Sequence, residues 1–327
     1  MDLVNHTDFP GYLFRTTIDD DRLAASVLIR VTYDLRGEKL IPSDEQVWKV
    51  SGTPWESEYG KMEGDEVFRK GGVDFFIFGH ARSPNKAPVD QLNVELKAGS
   101  FQKNIKVYGD RHWVRQNNKL VPSMPQPFHS IPLTMEYAYG GKIEWDGLKI
   151  SYSDNPDGIG YYNEEKSAEG KSLPNIEDPN NLIKHWNDQP VPVGVGMCPM
   201  ENASRIKSNV QFDDAGAVTK LDAKFFNSAF PDMIASNVSP GDRVSLSGVG
   251  QTGILEFKLP PSPFITRLKF DNEIIERKLT IDQIGFEVNQ RRVFISYRYP
   301  FRYVMYPMQK RSCEVFSLDV IDDKQSE

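Results

Sequence analysis

The chain has 327 residues, a formal net charge of −7, 39% hydrophobic residues and 26% charged residues. Such a chain can bury a sizeable core and is not disordered. Its acidic balance, without a Lys/Arg block, argues against a nucleic-acid partner, which requires a concentrated basic surface.

The first residues, MDLVNHTDFPGYLFRTTIDDD, place acids where a secretory signal needs bases, and no apolar h-region follows. No run of about twenty apolar residues is present to span a bilayer. The expectation is a cytoplasmic protein with no membrane partner. Cys198 and Cys313 are too few for a disulfide framework and show no metal-ligand spacing. They read as small buried residues in a reducing compartment, and no cofactor is expected.

In chain order, Val27, Ile29, Val31, Tyr33 and Leu35 alternate on one strand face, and Arg36-Gly37 turns the chain toward Leu40 and Ile41. Phe75 to Phe78 form a short continuous apolar run, the pattern of a strand covered on both faces. Leu92, Val94, Leu96 and Ala98 alternate, Gly99-Ser100 reverses the chain, and Phe101, Lys103, Ile105 and Val107 return as the clearest hairpin. Asp178-Pro179 predicts a short helix reaching Trp186, and residues 222–229 predict another turn or two of helix. Residues 244–246, 254–259 and 267–270 read as strands. Asp271-Asn272 is a turn before Ile274-Ile275, and Arg292 to Arg298 (RVFISYR) is a dense strand. Residues 142–175 and 187–220 are the least regular, and the terminal DDKQSE reads as a frayed tail.

The fold class is therefore mainly β: an antiparallel sandwich or irregular barrel-like sheets, with long Gly/Pro-rich loops and a few short helices. The organisation is a β-rich half over 1–145, a loop-rich connection over 146–220 and a β-rich half over 221–327, or one continuous domain.

Candidate chemistry is sparse. His6, His80, His112, His129 and His185 are nowhere within four residues of one another, so none forms a local metal pair. Glu177-Asp178 invites a general acid/base reading, but glycoside hydrolysis needs carboxylates about 5–9.5 Å apart on opposite sides of a substrate. Asp178 is better placed as a helix cap. Asp110-Arg111 ends the second hairpin strand, where an ion pair can lock its turn to another loop. Ser130 and Ser172 lack a nucleophile elbow. Gly140-Gly141 and residues 158–160 (GIG) lack the Lys-Ser/Thr of a phosphate loop. Tyr137, Tyr139, Tyr161 and Tyr162 lie in the loops, with Trp145 and Trp186 nearby. They either stack a ligand or partner, or plug the loop bases.

The ordered motifs resemble the bacterial family known as domain of unknown function 2169. They are Phe78 to Ala81 (FGHA), Gly109 to Trp113 (GDRHW), Pro125 to Gly141, Asn155 to Tyr161, Leu173 to Pro179 (LPNIEDP) and Pro192 to Pro199. FFNSAFPDM at 225–233, GDRVSL at 242–247 and RVFISYR continue the likeness, which spans about residue 15 to about 300. Residues 201–221 lack the family's Trp- and Arg-containing segment, and Tyr297 stands where a Trp often precedes the strand's Arg. The resemblance implies a non-enzymatic adaptor or chaperone of type VI secretion in a Gram-negative bacterium. Its partners would be a secreted effector and a PAAR-type or VgrG spike protein. The motif residues His80, Asp110, Arg111, Tyr139, Gly140, Gly141, Asn155, Asn175, Glu177 and Asp178 are then structural or partner-binding. The competing reading is a carbohydrate-binding or carboxylate-dependent hydrolytic β-sandwich. A self-assembling component of a phage-tail-like structure is a third.

Overall fold

A 15-residue strand, Arg22–Arg36, carries the first alternating pattern and centres one large sheet. The computed structural model describes residues 1–250, 253–271, 273–306 and 308–318. In that sheet the order is Gly11–Thr17, Arg22–Arg36, Arg292–Val304, Thr280–Glu287, Val73–Phe78 and Ile234–Ala235, with Lys39–Pro42 also pairing to Arg22–Arg36. A second large sheet runs Ser130–Pro132, His80–Arg82, Arg243–Val249, Gln91–Ala98, Phe101–Tyr108 and Ile176–Glu177, with Gly253–Lys258 beside Arg243–Val249. A four-stranded sheet of Asp2–Asn5, Arg311–Ser317, Phe264–Phe270 and Glu273–Lys278 completes the main framework.

The two large sheets bury one continuous hydrophobic cluster. Phe75 of the first stacks on Phe101 of the second with centroids 5.1 Å apart and planes 2° from parallel. Facing sheets with interdigitated side chains make a sandwich, as the alternation predicts. The clear hairpin is present, with Ala98 opposite Phe101. Strands from before residue 145 and after residue 221 pair directly in both sheets, as in Arg22–Arg36 with Arg292–Val304 and Gln91–Ala98 with Arg243–Val249.

Three strand pairings depart from the antiparallel expectation among the described residues: Asp2–Asn5 with Arg311–Ser317, Tyr139–Gly140 with Ile159–Gly160, and one inside the first large sheet. Val73–Phe78 lies parallel to Thr280–Glu287. Parallel neighbours need a long connection and cover on both faces. Every residue of Val73–Phe78 is buried, which agrees with its unbroken apolar run.

The outer face of the first sheet is also covered, here by residues 43–70. Trp48 packs on Phe294 with centroids 4.4 Å apart and on Phe78 at 5.1 Å. Arg30 on that face donates from Nη2 to Asp65 Oδ1 at 2.6 Å and to Gln283 Oε1 at 2.8 Å. Arg298 donates from Nε to Asp282 Oδ2 at 2.6 Å and from Nη1 to Ser26 Oγ at 2.9 Å. The polar half of the alternating pattern thus faces a cover, and its buried charges are paired.

The predicted helix over 179–186 is absent. Asp178 Oδ1 instead accepts from the backbone N–H of Asn180 at 2.9 Å, and the Asp178 carbonyl accepts from Asn181 at 2.9 Å. Glu177 Oε2 takes the Ile183 amide at 2.8 Å, while Asp188 Oδ2 takes those of Lys184 and His185, each at 2.8 Å. Side-chain acceptors hold the amides that a helix would have used. Near 222–229 a short 3-10 helix, Ala223–Phe226, starts on Asp222, whose Oδ1 accepts from Lys224.

The irregular stretches contain more order than their composition shows. Lys142–Trp145 and Leu148–Ser151 form a hairpin. Helix Ala203–Asn209 leads into a second hairpin, Val210–Phe212 with Val218–Leu221. Asn272 of the predicted turn and the DDKQSE tail lie outside the described residues.

Candidate functional site

Two motif locks build the site's frame. In the first, the Arg111 guanidinium is buried, pairs with Glu177 Oε1 and donates to the Pro174 carbonyl at 2.7 Å. It also lies over the Tyr108 ring, 3.8 Å from the centroid. Asn175 Nδ2 donates to Asp110 Oδ1 at 3.0 Å and to the Tyr108 carbonyl at 3.1 Å. The GDR and LPNIED segments are thereby tied through charge-assisted and backbone hydrogen bonds.

In the second lock, Asn155 Nδ2 donates to the carbonyls of Met135 at 2.7 Å and Tyr139 at 3.0 Å, and the Asn155 carbonyl accepts from Gly141 at 2.9 Å. Tyr139-Gly140 pairs in parallel with Ile159-Gly160. Gly140 has φ +150, and a Cβ there would stand 2.0 Å from the Asn155 carbonyl oxygen. Only glycine fits that close backbone approach. Tyr139 is buried with Trp113, Leu173 and Ile183, against which Tyr152, Tyr161, Tyr162 and Trp186 pack. Most loop aromatics therefore plug the base of the loops.

On this frame opens a groove of about 650 Å³. Its walls come from five motif segments: Phe78–His80, Pro132–Glu136, Asn155–Asp157, residues 196–199 and Phe230. The chain crosses from the first sheet to the second at Gly79, between Val73–Phe78 and His80–Arg82, so the groove sits where the sheets exchange a strand. The sixth wall, Glu58–Met62, belongs to the small hairpin of Trp55–Ser57 with Gly60–Met62. Met62, Met135 and Met197 supply soft, adaptable apolar surface. Glu58, Glu136 and Asp157 outnumber Lys61 among the charges.

Of the ten motif residues singled out above, His80 and Asn155 line the groove. Burial, reinforced by Arg82, holds the His80 imidazole below its ordinary pKa and so neutral near pH 7. Asp110, Arg111, Tyr139, Gly140, Gly141, Asn175, Glu177 and Asp178 belong to the locks and turns and do not line it. Neither Glu177 nor Asp178 lines the groove. Burial pushes the Cys198 thiol up to about 12 and the Cys313 thiol up to about 11, so both stay protonated at neutral pH. Among the described residues no three His, Cys, Asp or Glu side chains converge to hold a metal ion. No helix there is long and apolar enough to cross a membrane.

Met135, Gly196, Met197 and Phe230 fall within motifs legible in the sequence, but nothing there marks them as lining rather than core. The Glu58–Met62 wall carries no such signal.

One titratable group sits beside that wall. Glu287 is buried and accepts from Trp48 Nε1 at 3.2 Å and Tyr59 Oη at 3.3 Å. Burial outweighs these bonds and raises its carboxyl above the usual range. The folded chain then binds this proton more tightly than the unfolded chain, so this contribution falls as pH rises through the raised pKa. Glu287→Gln is expected to stabilise the chain at pH 7 and to lose that advantage below the ordinary glutamate pKa, as followed by urea titrations across pH.

A family model described as "Uncharacterized protein conserved in bacteria (DUF2169)" matches residues 20–298. No curated protein and no solved structure matches the chain.

Proposed function

This chain belongs to the DUF2169 family of bacterial proteins, and from that premise we propose a non-enzymatic adaptor or chaperone. It binds a type VI secretion effector through an N-terminal or PAAR-like region, stabilises it and assists its loading onto the VgrG spike, acting in the cytoplasm. The observation that carries this reading is the groove, whose walls gather five separately encoded motif segments on one rigid frame. Its methionines, prolines and phenylalanines suit an apolar stretch of a client that would otherwise aggregate. The carboxylates on which a hydrolytic reading depends are engaged elsewhere: Glu177 with Arg111, and Asp178 with its own turn.

Gly196 provides the test. It lines the groove, and a Cβ built on it meets no atom within 4 Å. Gly196→Trp should therefore fill the groove without disturbing the frame. Co-expressed with a type VI effector from the same genome, the wild-type chain is expected to raise effector solubility and co-elute with it. Gly196→Trp should lose co-elution at an unchanged melting temperature. Independent elution of effector and wild-type chain would end the adaptor reading.

A further inference from the structure

Two hairpins with uncovered apolar faces stand at one wall of the groove. In the first, Ile143 pairs with Ile150 and Trp145 with Leu148. Alternate residues share a face, so all four apolar side chains lie together, opposite Lys142, Glu144, Lys149 and Ser151. Trp145 is 51% exposed and Leu148 63%. In the second hairpin Val210 pairs with Leu221 and, across a β-bulge, Phe212 with Val218, with Phe212 52%, Val218 58% and Leu221 46% exposed.

Both are rooted at the same place. Lys142 of the first hairpin pairs with Asp157 of the groove wall at 2.8 Å. Asn202, also in the groove wall, caps helix Ala203–Asn209, which runs directly into the second hairpin. Lys207 Nζ ties that helix to Asp154 Oδ1 at 2.8 Å, and Asn202 Nδ2 donates to the Asp154 carbonyl at 3.1 Å, just past the end of the first hairpin.

An isolated two-stranded hairpin is marginal in water, and an exposed Trp beside Leu is a typical binding anchor. We propose that these hairpins are paired docking arms that extend the groove and clasp an apolar client segment flanked by basic residues. This rests on the adaptor reading above. The charge preference follows from the balance over the two hairpins and the groove wall, where Glu58, Glu136, Glu144, Asp146, Asp157, Asp213 and Asp214 outnumber Lys61, Lys142, Lys149 and Lys220. A second copy of this chain would bring the same net negative charge against itself, whereas a client with Lys or Arg beside its apolar stretch complements it.

The probe is a labelled peptide with a leucine/alanine core and lysines at both ends, compared with the same core ended by glutamates. Binding is read by anisotropy, and occupancy of the arm by protection of Trp145 from acrylamide quenching. The lysine-ended peptide is expected to bind and protect Trp145, with the glutamate-ended peptide about tenfold weaker at low salt. Phe212→Glu and Trp145→Glu should each weaken binding about tenfold or more at an unchanged melting temperature, and Trp145→Phe should restore it. No binding by wild type, or equal binding by the arm variants, overturns the arms. Effector co-elution that Gly196→Trp abolishes and the arm variants leave intact also overturns them, while the groove reading stands. A wild-type dimer in sedimentation that Phe212→Glu dissociates would assign the arms to a second copy and sink the client proposal.

Discussion

Glu177→Ala is expected to cost the fold about 3–5 kcal/mol, the range for removing one partner of a buried ion pair. Arg111 would be left buried with its charge uncompensated, keeping the Pro174 carbonyl and the Tyr108 ring as neighbours. Ile183 would also lose the acceptor for its amide. Glu177→Gln keeps the shape and one acceptor, so it should fall between wild type and Glu177→Ala. Asp178→Ala is the local control: it removes a single side-chain bond on an exposed turn, worth about 0.5–1.5 kcal/mol. Urea unfolding monitored by fluorescence measures all three. A cost below about 1 kcal/mol for Glu177→Ala would mean that water reaches Arg111 and that the lock contributes little.

Gly140→Ala should be comparably damaging for a different reason. The added Cβ would meet the Asn155 carbonyl oxygen at 2.0 Å, and both that oxygen and Asn155 Nδ2 are already committed to hydrogen bonds. Either the Tyr139-Gly140 pairing with Ile159-Gly160 opens or Asn155 leaves its place, and each route gives up several buried bonds. A loss of about 3 kcal/mol or more is expected, combining backbone strain and overpacking. Gly147→Ala separates the two terms. Gly147 has φ +73 but nothing within 4 Å of its Cβ, so it should lose only about 1 kcal/mol. Equal losses at the two sites would show that backbone angle, not the contact with Asn155, dominates.

Strand pattern and turn chemistry were legible wherever one face met the core and short-range order decided the outcome. The Leu92 to Val107 hairpin and the RVFISYR strand are examples. Burial of the other face was not legible. Ser26, Arg30 and Thr32 are buried under residues 43–70, a segment without a strand-like alternation that would mark it as a cover. The helix expected after Asp178 failed because the side chains of Glu177 and Asp188, three to six residues away, capture the amides of Ile183, Lys184 and His185. The Lys142–Ser151 hairpin had a readable signal, Asp146-Gly147 between apolar pairs, which the surrounding polar composition masked. The locks were partly legible. Asp110-Arg111 marked a tie to another loop, but its partners in LPNIED are set by tertiary packing.

Arg22–Arg36 is flanked on one side by Arg292–Val304, with Asp34 opposite Arg292, 258 positions later by subtraction. At about 5–20 residues per second, a ribosome delivers that mate on the order of ten to fifty seconds after the first strand emerges. During synthesis the nascent chain carries a long, β-branched, half-satisfied edge. Until that mate arrives, the edge is open to pairing with another chain.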